Sequence, residues 1–335
     1  MKAIYLALLL SVVIAGCSSE SQPTHLVTPI TPLPVKQGAS STSTAPTPTA
    51  TPLATGPKPP TLTAATAQLT VEIPTTTPTR KPAPTLAPEA WKQMPVVPIV
   101  GDTVVQIYQK GTEMGNNPHA FSKIGDCGST PAWFLGDFDR GPEFYRLDGH
   151  QDLAAVIQEF QGSFSRTSQA ARSGFNSPAL FEPLWADRAY CEANETPIAC
   201  EYRIQRPAFA FIMLGTNDIW HPDQFEPQMR KIIEFSIEKG VVPILSTKAD
   251  NAEGNYEINA TIARLAAEYD IPLWNFWLAV QSLPDKGLQE DQAHLTWGRN
   301  FFDDPESMTK AWPIRNLTAL QVLDAVWRKA TGQGD

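Results

Sequence analysis

Apolar residues in the C-terminal three-quarters of the chain recur in two rhythms. Continuous runs, Ala208 to Leu214 closed by Gly215 and Val241 to Ser246, predict strands buried on both faces, and Ile271 to Phe276 predicts a third. Between them the spacing turns helical. Asp223 to Lys239 predicts an amphipathic helix, with Pro222 and Asp223 near its start and Gly240 just past its end. Tyr256 to Tyr269 predicts another, and Asn316 to Lys329 a closing helix with Asn316 as its N-cap. Thr103 to Lys110 predicts a short helix, and Asp148 to Phe160 has helical periodicity. Strands that alternate with helices imply an α/β fold with a parallel sheet covered on both faces, whose ligands bind at the carboxyl ends of the strands.

The N-terminal quarter follows other rules. Lys2 precedes an apolar run from Ile4 to Ile14 that is too short to span a bilayer as a stable helix, so residues 1–16 read as a signal peptide. The run ends in Ile14-Ala15-Gly16-Cys17, which resembles the bacterial lipobox, with Cys17 as the lipid acceptor. That resemblance implies an exported protein anchored by lipid to the outer face of the cell membrane. From Ser18 to Glu89 the chain is rich in Thr, Pro, Ser and Ala, and no aromatic side chain other than histidine falls between Cys17 and Trp91. Such a segment cannot bury enough apolar surface to offset chain entropy, so residues 17–90 are expected to be a disordered tether. At about 3 Å per residue, a largely extended proline-rich tether reaches on the order of 100 Å or more. Residues 91–335 then form one domain with its own core.

Charge narrows the partners. Ahead of Trp91 lie five of the 26 basic residues and three of the 35 acidic ones, which leaves the domain 21 against 32, a formal charge of −11. That argues against nucleic acid, whose phosphates call for clustered Lys and Arg. The five histidines are scattered without C-x-x-C or H-x-x-x-H spacing, so no metal and no cofactor is implied. The four cysteines divide by context. Cys17 belongs to the anchor. Cys191 and Cys200 bracket a polar loop, Glu192 to Ala199, and outside the cytoplasm are expected to form a disulfide. Cys127 falls outside both assignments and is a candidate reactive thiol, a buried inert cysteine being the competing reading.

Cys127 lies in Lys123-Ile124-Gly125-Asp126-Cys127-Gly128-Ser129-Thr130, where Gly125 and Gly128 allow a sharp turn that projects a side chain toward nearby amide N–H groups. The plain alternative is an ordinary Gly/Asp/Ser loop. Three further motifs follow in order. Arg172 to Asn176 sets Gly174 in a polar turn. Leu214-Gly215-Thr216-Asn217-Asp218 continues directly from a strand, so the Asn217 amide can serve a developing oxyanion or merely close an Asx turn. Asp291-Gln292-Ala293-His294 puts an acid three residues before a histidine, a spacing at which the carboxylate can hold the imidazole in the tautomer that accepts a proton.

In this order the four motifs resemble the signature blocks of the SGNH hydrolases, also called GDSL esterases and lipases, over about residues 124–296. The resemblance implies a three-layer α/β/α sandwich with a flavodoxin-like parallel sheet and metal-free ester hydrolysis. It also implies Cys127 as nucleophile, His294 as base and Asp291 as its orienting acid. The oxyanion donors would be the Cys127 N–H, the Gly174 N–H and the Asn217 side chain. Where the family has serine in Gly-Asp-Ser this chain has Cys127, and Ser129 two residues on is not expected to reach the same base. The absence of any G-x-S-x-G elbow speaks against the α/β-hydrolases.

Two functions follow. One is a surface-tethered hydrolase of acyl esters, on glycans or other envelope and environmental substrates. The other is an inactive module of the same fold that binds carbohydrate or cell-envelope components. An aromatic follows each catalytic block at short range (Trp133 and Phe134, Trp220, Trp297), either to stack on sugar rings or to fill the core. The acyl group and the oligomeric state are left open.

Overall fold

In the computed structural model of the chain, residues 87–333 are described. The signal sequence, Cys17 and nearly all of the expected tether lie outside these residues. In chain order the helices are α1 (Thr103–Glu113), α2 (Ala154–Glu159), α3 (Pro197–Gln205), α4 (Pro222–Glu238), α5 (Glu257–Tyr269), α6 (Phe276–Val280) and α7 (Ala311–Thr331). The strands are β1 (Asn117–Gly125), β2 (Tyr145–Arg146), β3 (Pro207–Met213), β4 (Val242–Ser246), β5 (Leu273–Trp274) and β6 (Asn300–Phe301).

Four strands form a parallel sheet in the order β1-β3-β4-β5, and β2 pairs with β6 separately. Beside β1 a fifth position is held by a single parallel bridge, Gly125 to Ala171. Because Ala171 comes between β1 and β3 in the chain, the spatial order is the flavodoxin-like one, with its second strand reduced to a bridge. The pleat sends alternate residues of β1 and β3 to opposite faces. Phe121, Phe209 and Phe211 meet one aromatic layer with Tyr108 of α1 and with Phe160, which also touches Trp327 of α7. Ser122 faces the other way and donates to Glu201 of α3 at 2.6 Å, while Tyr202 stacks on Phe235 of α4. Helices therefore cover both faces, and this is the expected sandwich.

Several boundaries move. Helix α7 begins five residues before Asn316, which lies inside it. Asn316 instead accepts from Leu135 N at 3.0 Å and donates to Asn300 at 2.9 Å, so its polar groups hold distant segments rather than cap a helix. The expected helix from Asp148 to Phe160 is a 3₁₀ turn, Gln151–Leu153, followed by the short α2. The strand expected over Ile271 to Phe276 keeps only Leu273–Trp274, because Asn275 caps α6. The stretch from Glu192 to Ala199 is a loop only as far as Thr196, since Pro197 starts α3. Cys191 and Cys200 are joined in a disulfide, as expected.

Candidate functional site

Strand β1 runs out at Gly125, whose N–H donates to Ala170 O at 3.0 Å and whose carbonyl accepts from Arg172 N at 3.1 Å. A Cβ at Gly125 would lie 2.3 Å from both Met213 O and Ser129 Oγ, so only glycine lets β1 and β3 approach this closely before the turn. The next residues tighten into a 3₁₀ turn, Cys127–Ser129. Asp126 caps it by accepting from Gly128 N at 2.9 Å, and Thr130 N and Oγ1 both donate to Cys127 O, at 3.1 and 2.8 Å. Ser129 is fully buried, so it cannot stand in as the attacking group, in agreement with the sequence reading.

Beneath the turn sits a residue the sequence reading passed over. Arg315 of α7 donates to Gly128 O at 2.9 Å and points toward Met213 Sδ at 3.0 Å, with Phe134 and Trp312 ring centroids each 5.0 Å from its guanidinium. Burial lowers its pKa to about 10, and the Asp126 carboxylate opposes that fall. Burial also pushes the Asp126 carboxyl above its usual range, against the pull of Arg315 and the Gly128 N–H. The signal for Arg315 was its place on α7, a cation among Ala311, Trp312, Leu317, Ala319 and Leu320, all of them buried.

The second and third motifs close onto the first. Gly174 has φ +82° with open space where a side chain would stand, and Phe175 N donates to Arg172 O at 3.1 Å. Asn217 crosses to this turn, its Nδ2 donating to Phe175 O at 2.9 Å, so its amide links two motifs rather than closing an Asx turn on its own loop. Ser177 donates to Asp218 through N at 2.8 Å and Oγ at 2.6 Å. Burial raises the Asp218 carboxyl even against those two bonds. Thr216 bonds Asp250 at 2.8 Å beyond the end of β4, and Lys248 pairs with Asp250 and Glu253 at 2.6 and 2.5 Å.

In the fourth motif Asp291 accepts from Ala293 N at 3.0 Å, His294 N at 2.9 Å and the His294 ring Nδ1 at 2.5 Å. Partial burial would raise the Asp291 carboxyl, but these three donors outweigh it and hold the pKa at about 2. The loop is tied down immediately afterwards. Thr296 accepts from Ala311 N at 2.9 Å through Oγ1 and from Trp312 N at 3.1 Å through its carbonyl, both at the start of α7. The Trp312 ring in turn lies 3.7 Å from where a Gly128 side chain would begin. One helix start therefore carries the histidine loop and braces the Cys127 turn.

One expectation changes here, and one open choice is decided. No cysteine among the described residues is free, and Cys127 is disulfide-bonded, so the thiol expected there is not present as such. Phe134 is fully buried between Phe211 and Trp274 and belongs to the core, and Trp133 stacks on Trp312 at 5.5 Å. Trp220 and Trp297 are exposed.

No protein-family model matches the chain, and no curated protein does. Solved structures do. A lipolytic protein of the G-D-S-L family from Desulfitobacterium hafniense is 12% identical, with a TM-score of 0.38, over 61% of this chain and 99% of its own. An acylhydrolase from Bacteroides fragilis is 16% identical, with a TM-score of 0.39, over 69% of this chain and 100% of its own. An acetylxylan esterase from Geobacillus stearothermophilus is 15% identical, with a TM-score of 0.36, over 62% and 94%. At such scores the superpositions are partial, and the weight rests on the geometry of the site.

Proposed function

We propose that the protein is a surface-tethered ester hydrolase of the SGNH type, acting on acyl esters, including those carried by glycans, with Cys127, His294 and Asp291 as its reacting set. The observation that carries this reading is the shared start of α7, which supports both the Asp291–His294 pair and the Cys127 turn. Asn217 bonds the Phe175 carbonyl, one residue past Gly174.

Chemistry begins with reduction. A dithiol supplies two electrons and two protons to the Cys127 disulfide and releases the thiol. His294 then takes the thiol proton at Nε2 while Asp291 holds Nδ1–H, and sulfur attacks the ester carbonyl. The carbonyl oxygen becomes an oxyanion facing the Cys127 and Gly174 N–H groups and the Asn217 amide. The tetrahedral centre collapses to a thioester, and the imidazolium returns its proton to the leaving alcohol. Water, deprotonated by His294, cleaves the thioester and restores the thiol.

The test uses the full chain with an aryl acetate, with and without a phosphine reductant. Reduced protein should turn over, Cys127→Ala and His294→Ala should abolish turnover, and iodoacetamide should block it. Turnover that survives Cys127→Ala removes Cys127 from the mechanism. Lipid attachment, which would turn the Cys17 sulfur into a thioether and bar it from any disulfide, is read by incorporation of labelled palmitate in cells, which Cys17→Ala should abolish.

A second reading, an inactive binding module, is favoured by the disulfide-bonded state of Cys127. Cys127→Ser separates the two. A large gain of esterase activity would show machinery intact around a poor nucleophile. No activity in either form, together with retained glycan binding, would establish the module.

A further inference from the structure

Exposed tryptophan is unevenly placed in this protein. Among the described residues Trp185, Trp220 and Trp297 are 48, 79 and 54% exposed. The other tryptophans, Trp91, Trp133, Trp274, Trp277, Trp312 and Trp327, are buried or packed against the core. Each exposed ring touches or closely follows in sequence one of the later three motifs. Trp185 meets Phe175 edge to face at 6.2 Å, and Phe175 is the residue whose carbonyl accepts from Asn217. Trp220 stands three residues past Asn217, and Trp297 three past His294.

We propose that these three indoles form a stacking rim for the pyranose rings of a polysaccharide whose ester groups reach the site, an inference that rests on the hydrolase reading. An indole face offers apolar area to the C–H face of a sugar, while the sugar's hydroxyls seek polar neighbours. Such neighbours are at hand. His221 and Asp223 near Trp220, and Arg299 near Trp297, are all exposed. A cavity of about 510 Å³ opens between the N-terminal parts of α4 and α5, its lining beginning at Pro222, two residues past Trp220, with Asp223, Glu226, Arg230, Glu257 and Thr261 on its walls. Its remaining wall includes Ile258, whose Cγ2 would lie 2.6 Å from a side chain at Gly215, so the cavity adjoins the third motif directly. Single rings set among polar groups suit sugars, whereas a long acyl chain needs a continuous apolar groove.

Native affinity electrophoresis of the full chain tests this. The gels contain, in turn, acetylated xylan, deacetylated xylan, galactomannan, pectin and soluble peptidoglycan fragments. Binding is read on the His294→Ala variant, so that turnover does not alter the probe, and ester turnover is read separately on the parent. Retardation by at least one polysaccharide is expected, weakened about tenfold by Trp220→Ala and further by the triple alanine variant. Trp220→Tyr, which keeps a ring face, should restore most of it. Unchanged thermal midpoints would show that the variants fold. No retardation by any of the five, or retardation undiminished in the triple variant, overturns the rim. Flotation with phosphatidylcholine–phosphatidylglycerol vesicles that depends on the tryptophans, without polysaccharide binding, also overturns it in favour of a lipid surface. A protein that binds but does not hydrolyse leaves the rim standing and refutes the hydrolase. One that hydrolyses the aryl acetate without binding does the reverse.

Discussion

Lys123 provides the sharpest physical test of the fold. It lies in β1 with its side chain fully buried, one residue from Ser122, which faces α3 across the sheet, and its Nζ donates to Phe164 O at 2.7 Å. Burial, together with the Arg166 cation, lowers its pKa from 10.5 to about 7, while Glu201 and Asp139 pull the other way. Each tenfold change in proton affinity is worth about 1.4 kcal/mol, so the full shift amounts to about 5 kcal/mol. The sign follows from proton counting. Below pH 7 the lysine is charged in both states and the fold bears the whole cost. Between pH 7 and 10.5 the unfolded chain binds the proton and the folded one does not, so stability rises with pH across that window. Lys123→Met removes the titration while keeping an unbranched chain of similar length. Urea denaturation of both proteins at fixed ionic strength, in steps from pH 6 to pH 10, should show the parent gaining several kcal/mol on the variant, with most of the gain above pH 7. Parallel curves over that range would mean that Lys123 stays charged in the folded protein, and the reasoning would fail.

Other substitutions probe the site and its frame. Asp291→Asn keeps an oxygen acceptor but loses the charge that orients His294, so kcat for an aryl acetate should fall about 10²–10⁴-fold with KM little changed. Because the Asp291 pKa is held at about 2, its own ionisation should leave the pH–rate profile flat down to about pH 3, and any acid limb above that belongs to another group. Gly125→Ala forces a methyl against Met213 O and Ser129 Oγ and should cost about 2–4 kcal/mol, read as a lower urea midpoint. Opening the Cys191–Cys200 disulfide by a double serine substitution should cost about 2.5–3 kcal/mol, the chain entropy of a loop with sequence separation 9, with ester turnover retained at low temperature.

Helices α4 and α5 and strands β3 and β4 were legible because each buries what its periodicity announces. Strand β1 was not, since Ser122 and Lys123 interrupt its apolar run, and what makes them tolerable lies far away in Glu201 and the Phe164 carbonyl. Helix α3 hid for a similar reason. It buries Glu201, which Arg166 and Gln169 N satisfy from a separate loop at 2.6 and 2.8 Å. The start of α7 was lost to Pro313, Arg315 and Asn316, whose polar or irregular character signals a boundary locally and a structural brace only in three dimensions. Within the candidate site, the Asp291–His294 pair was readable because its partners are three residues apart. Arg315 was not, because its work is done 187 residues away on Gly128. Phe134 could not be assigned from the sequence, because an aromatic beside a motif looks the same whether it faces the cleft or the core.

The bonds from Thr296 to Ala311 and Trp312, and from Arg315 to Gly128, also make the site depend on a helix synthesised after all four motifs. A polypeptide emerging N-terminus first would deliver the first three motifs well before the helix that unites them with the fourth. Ester turnover should therefore be absent from every truncation ending before Arg315, however much of the sheet has formed. Under the proposed export, catalytic competence would wait until α7 had crossed the membrane.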